Sequence, residues 1–131
     1  MRDNKGVALL LALLTLFIVS LLVVALLQFS TIDLQIVSNH YLRNQALYMA
    51  DAGVEYAISR LKNSKVDFSS GNIYLPSSSG HFYNVTYSLS SSKITSGGTL
   101  ASGEQVSLEA KVSVTGASAP YQVKILHWRE L

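Results

Sequence analysis

Gly6-Val7-Ala8-Leu9-Leu10-Leu11-Ala12-Leu13-Leu14-Thr15-Leu16-Phe17-Ile18-Val19-Ser20-Leu21-Leu22-Val23-Val24-Ala25-Leu26-Leu27 carries only two polar side chains after its glycine, Thr15 and Ser20, and no charge stands between Lys5 and Asp33. At 1.5 Å per residue a helix of this length covers about 30 Å, the thickness of a bilayer's hydrocarbon core. Arg2 and Lys5 precede the run, partly offset by Asp3, and the first charge beyond it is acidic. Basic flanks stay in the cytoplasm, so the N-terminus is predicted inside and the chain after Leu27 outside. Three uses of such a run compete. A removed secretory signal has a shorter apolar core, about 7–15 residues, closed by small residues at the cleavage site; here the run is longer and ends Ala25-Leu26-Leu27-Gln28. A permanent single-span anchor fits on hydropathy alone. The third use keeps the helix and removes only the short leader ending in Gly6.

With 131 residues the chain has material for one modest domain besides the apolar segment. The net charge of +2 is small and scattered, so no nucleic-acid partner is predicted. There is no cysteine, which excludes a disulfide framework, a thiolate metal site and a cysteine nucleophile.

The helix is predicted to continue past Leu27. From Gln28 to Lys62 there is no proline and one glycine, Gly53, and good helix formers are frequent. Leu47, Ala50, Val54, Ala57 or Ile58, and Leu61 recur at steps of three and four, the spacing of one buried helix face. Asn44, Asp51, Glu55, Ser59 and Lys62 occupy the opposite side, while Arg60, Lys62 and Lys65 stand where the helix dipole favours cations. Between Gln28 and Gln45 the polar belt of Asn39, His40, Arg43, Asn44 and Gln45 suggests exposure or contact with other chains. One continuous helix from Val7 to about Leu61 would be roughly 80 Å long.

Beyond Lys65 the pattern changes. Asp67-Phe68-Ser69-Ser70-Gly71-Asn72 and Pro76-Ser77-Ser78-Ser79-Gly80 are loop chemistry. Tyr83, Val85, Tyr87 and Leu89 alternate with Asn84, Thr86 and Ser88, and Val106, Leu108, Ala110, Val112 and Val114 alternate with Ser107, Glu109, Lys111 and Ser113. A third strand is predicted over Tyr121 to Trp128, with Tyr121, Val123 and Ile125 on one side, after a turn at Gly116-Ala117-Ser118-Ala119-Pro120. The segment bounded by Ser90-Ser91-Ser92 and Ser96-Gly97-Gly98 is expected to pair poorly. Such alternation describes an antiparallel sheet of three or four strands with one wet face, and its apolar face needs the Leu47-to-Leu61 stripe as cover. The fold class expected is α+β: a long N-terminal helix, half of it amphipathic, packed on a small antiparallel sheet. The organisation expected is a leader at 1–6, a transmembrane or stalk helix at 7–29, the amphipathic half of the same helix at 30–65, and a small β head at 66–131.

This layout resembles the type IV pilin family. Met1-Arg2-Asp3-Asn4-Lys5-Gly6 is similar to a prepilin leader, and Ala46-Leu47-Tyr48-Met49-Ala50-Asp51-Ala52-Gly53-Val54-Glu55 resembles the Ala-x-x-x-Ala-Glu-Ala-Gly-x-Glu stretch of PilX-type minor pilins, with Ala50, Asp51, Ala52, Gly53 and Glu55 at the matching positions. The likeness covers about residues 1–62. It implies cleavage between Gly6 and Val7 by a prepilin peptidase and methyltransferase, N-methylation of Val7, and residence in the inner membrane, among lipid, with the N-terminus cytoplasmic. It further implies later incorporation beside other major and minor pilins in an extracellular fibre. Leu11 departs from the pattern, because most pilins carry a glutamate there that is thought to neutralise a neighbouring subunit's N-terminal ammonium. Its absence points to a minor, tip-proximal subunit. Thr15 and Ser20 can bond their hydroxyls to the preceding turn, so they fit inside an apolar bundle. A pseudopilin of type II secretion, or a membrane-anchored binding module, are the alternatives.

No enzyme is expected. His40, His81 and His127 lack ligand spacing, and no serine stands in a Gly-x-Ser-x-Gly context. Asp51 and Glu55 read as a solvated face or an inter-subunit charge contact, and Tyr41, Tyr48 and Tyr56 as packing or interface aromatics. Asn84-Val85-Thr86 matches a glycosylation triplet but falls in a predicted strand. No cofactor or metal is predicted.

Overall fold

In the computed structural model, which describes residues 5–131, the absence of proline lets a single helix, α1, run Lys5–Asn63. The expected leader residues Met1, Arg2, Asp3 and Asn4 lie outside the described residues. The chain divides into two units between Asn39 and His40. In the first, every side chain described from Gly6 to Asn39 is exposed except half-buried Ala25.

The second unit holds the C-terminal part of α1 and six strands: β1 (Phe68–Ser69), β2 (Ile73–Tyr74), β3 (Phe82–Ser88), β4 (Lys93–Thr99), β5 (Gln105–Thr115) and β6 (Gln122–Glu130). They form one antiparallel sheet in the order β1-β3-β4-β5-β6, with β2 pairing β3 beyond β1. The α+β class read from the alternation is the class observed. Tyr83, Val85 and Tyr87 of β3, Ile94 of β4, and Leu108, Ala110 and Val112 of β5 are buried against Ala50, Val54, Ala57 and Leu61 of the helix.

The segment expected to pair poorly is instead β4, a central strand bonded along its whole length to β3 and β5. Ser96 and Gly98, weak strand formers alone, are what the helix needs beneath it. A Cβ on Gly98 would stand 2.2 Å from the Ala46 carbonyl oxygen and 2.5 Å from the Ala50 nitrogen. The helix backbone therefore rests directly on the strand. Gly53 makes the reciprocal approach: its missing Cβ would fall 2.1 Å from Ser96 Oγ. Buried Ser96 donates that hydroxyl to the Ala50 carbonyl at 2.7 Å, so the one buried polar side chain in this core is satisfied. A glycine inside a helix costs about 1 kcal/mol relative to alanine; here close packing offsets it.

Two further expectations are corrected. Leu89 does not continue the buried row of β3 but lies exposed in the turn after it. The third strand extends to Glu130, and a register shift between Lys111 and Val112 leaves Leu126 as an extra residue on β6. Such a bulge reverses side-chain parity, so Trp128, opposite Ala110, joins Ile125, opposite Val112, on the helix side.

Both ends of the helix segment are fastened to the sheet. Arg43 pairs with Glu130 at 2.7 Å, an exposed contact worth at most about 1 kcal/mol. At the other end the Lys62 carbonyl accepts the Tyr121 N–H at 2.8 Å, and Lys65 Nζ donates to the Val114 carbonyl at 3.1 Å. The first of these satisfies a terminal carbonyl that the helix leaves without an internal partner. The Arg60 guanidinium lies 4.6 Å above the Phe68 ring, a cation–π contact.

Candidate functional site

The first unit presents an exposed apolar helix surface. Val7 is 63% exposed and Leu11 54%, and the large apolar side chains from there to Val37 are similarly uncovered. A contiguous apolar surface of this extent needs lipid or protein around it. Its hydroxyls are fitted to such surroundings. Thr15 Oγ1 donates to the Ala12 carbonyl at 2.9 Å, and Ser20 Oγ reaches the Leu16 and Phe17 carbonyls at 3.1 and 3.0 Å. Thr31, which sequence reasoning did not single out, bonds back to the Leu27 and Gln28 carbonyls at 3.1 and 2.8 Å. Polar groups closed onto their own helix cost little in hydrocarbon. At the start of the run, Gly6 and Val7 are exposed, and a Cβ on Gly6 would meet nothing within 4 Å.

The helix motif divides by face. Ala50 and Gly53 are buried and Ala52 half-buried, while Asp51 and Glu55 point to solvent. The small residues let the helix settle on β4, so this part of the motif acts through packing. Asp51 borders an apolar recess shared by Leu47, Val54, Leu108 and Trp128. Tyr48 is 73% exposed and Tyr41 also uncovered, whereas Tyr56 tilts against Tyr83 at 6.1 Å. The three histidines stand apart. His40 is exposed, His81 Nδ1 accepts the Ala101 N–H at 3.0 Å, and His127 lies opposite Lys111 on β6.

Electrostatics concentrate on the side of the sheet away from α1. Glu109 meets Lys93 at 3.2 Å and Arg129 at 3.1 Å. The hydrogen bond from Lys93, then the charge of Arg129, hold this carboxyl below the usual carboxylate range, although partial burial pulls the other way. A group whose folded-state pKa is depressed contributes stability above its ordinary pKa and loses it as pH falls through the lowered value. Thermal melts of the wild-type chain should therefore weaken on acidification through and below the ordinary carboxylate range. Glu109→Gln should show a shallower acid limb, and an unchanged limb would contradict this assignment. Burial raises the Tyr83 and Tyr87 phenols, with nearby Tyr56 and Asp67 respectively adding to the effect.

Residues 5–55 match the family model described as PilX N-terminal. No curated protein and no solved structure matches the chain. The match falls on the exposed apolar helix and the packing motif together, and supports a PilX-type, pilin-like family for this chain.

Proposed function

From a chain whose residues 5–55 match a PilX-type family, we propose a structural minor pilin of a type IV pilus, acting through assembly and not through catalysis. The observation that carries the proposal is the coincidence of the family match with an exposed apolar helix whose hydroxyls close on their own backbone. The membrane stores the precursor with its sheet-bearing unit outside. A prepilin peptidase removes Met1–Gly6, and Val7 becomes the methylated N-terminus. Assembly then moves the helix from lipid into a bundle of other subunits' helices. Exchanging one apolar environment for another is nearly neutral hydrophobically, so close packing between helices and the energy of the assembly machinery drive the transfer.

Leu11 supports the minor role. A newly made N-terminal ammonium in an apolar bundle is costly unless a carboxylate meets it. Leu11 offers none, so a uniform fibre of this subunit would strand one charge per copy. A place at or near the tip, where few such contacts are made, suits it. Cell fractionation tests the role. The chain should appear in sheared extracellular fibres together with the major subunit. Confinement to the membrane fraction in piliated cells would contradict it and favour a permanently anchored module.

A further inference from the structure

The sheet face turned away from α1 carries two features that folding does not explain. The first is a row across three strands in which Asn84, Gly97 and Ser107 stand opposite one another. A Cβ on Gly97 would come within 2.8 Å of Asn84 Oδ1. Without one, a shallow groove of about 290 Å³ opens, bordered by Asn72, Asn84, Gln105 and Ser107, with Phe82 at one end. Phe82 in turn tilts against Tyr74 at 5.4 Å. The lining supplies amide and hydroxyl groups that both donate and accept, one aromatic plane, and no charge.

The second feature is a parallel row in which Lys93, Lys111 and His127 lie directly opposite one another. Like charges in register weaken strand pairing, so the Lys93–Lys111 pair opposes the fold. Lys124 and Arg129 extend the same patch, opposite Ser113 and Glu109. Glu109 alone serves both Lys93 and Arg129, and among the described residues no carboxylate pairs with Lys111 or Lys124. Four cations thus face one carboxylate on a chain whose total charge is only +2. Ser107 and Lys111 are four residues apart on β5, so the two rows lie about 13 Å from each other.

We propose that this uncovered sheet face binds an acidic polysaccharide, with sugar hydroxyls and ring faces in the Gly97 groove and anionic groups on Lys111 and Lys124. A neutral hydrogen-bonding groove with an aromatic plane suits a sugar ring, and the neighbouring cations suit the carboxylates or sulfates further along the same polymer. Nucleic acid fits less well. Trp128, beside Arg129 in the chain, lies on the opposite face of the sheet, so its indole offers these cations no stacking platform. This inference stands apart from the assembly proposal, since it concerns only the sheet.

The test is binding of the full chain, in non-ionic detergent, to polygalacturonate, dextran and duplex DNA. Polygalacturonate should bind, with affinity falling as salt rises. Lys111→Glu with Lys124→Glu should weaken it at least about tenfold. Gly97→Val should weaken it severalfold, because its side chain must displace the tip of Asn84 and fill the groove. Asn84→Ala with Gln105→Ala gives a second probe of the groove should the valine disturb the strand. Equal binding to duplex DNA or to dextran, indifference of polygalacturonate binding to both groove variants, or no binding to any polymer would overturn the proposal.

Discussion

Gly98→Ala is expected to destabilise the sheet-bearing unit by about 3 kcal/mol, the upper end of ordinary overpacking, and to lower its melting temperature by at least about 10 °C. The new Cβ would stand 2.2 Å from one helix backbone atom and 2.5 Å from another. Backbone cannot swing aside as a side chain can, so the helix must lift from β4. Lifting opens the contacts of Ala46 and Ala50, both fully buried, and lengthens the Ser96 bond to the Ala50 carbonyl. The adjacent residue provides the control. Gly97 faces the other side of the same strand, and its nearest obstacle is the exposed Asn84 side chain; Gly97→Ala should change stability by no more than about 0.5 kcal/mol. Circular dichroism melts of the two variants in detergent decide the point. Equal losses would mean that strand propensity, not helix seating, sets the need for glycine.

Gly6→Leu is expected to have an all-or-none effect on maturation and almost none on folding. A Cβ at Gly6 meets nothing within 4 Å, and leucine is a better helix former than glycine. The loss should come entirely at the peptidase, which under the proposed function must accommodate the residue before the scissile bond. The variant should accumulate in the membrane as precursor, be absent from sheared fibres, and retain a wild-type melting temperature. Normal processing would show that cleavage occurs elsewhere or not at all.

Much of this architecture was legible because it follows periodicity. The stripe Leu47, Ala50, Val54, Ala57 and Leu61 is the helix face that packs on the sheet, and the alternations of β3 and β5 point as expected. What escaped the sequence depends on partners rather than on local pattern. Ser96 and Gly98 look like loop material until a helix is laid over them. The bulge at Leu126 depends on how β6 registers against β5. β1 and β2 have two residues each, too few to show a period. The exposed apolar helix and the hydroxyls of Thr15 and Ser20 were readable, since their bonds are local. The row of Lys93, Lys111 and His127 was not, because it exists only once three strands are paired.

Under the proposed function the apolar helix is a processed assembly element. Mass spectrometry of the chain recovered from sheared fibres tests it most directly. The expected mature N-terminus is Val7, carrying a methyl group; a chain in those fibres that still begins at Met1, or one that begins near Gln28, would rule out processing after Gly6.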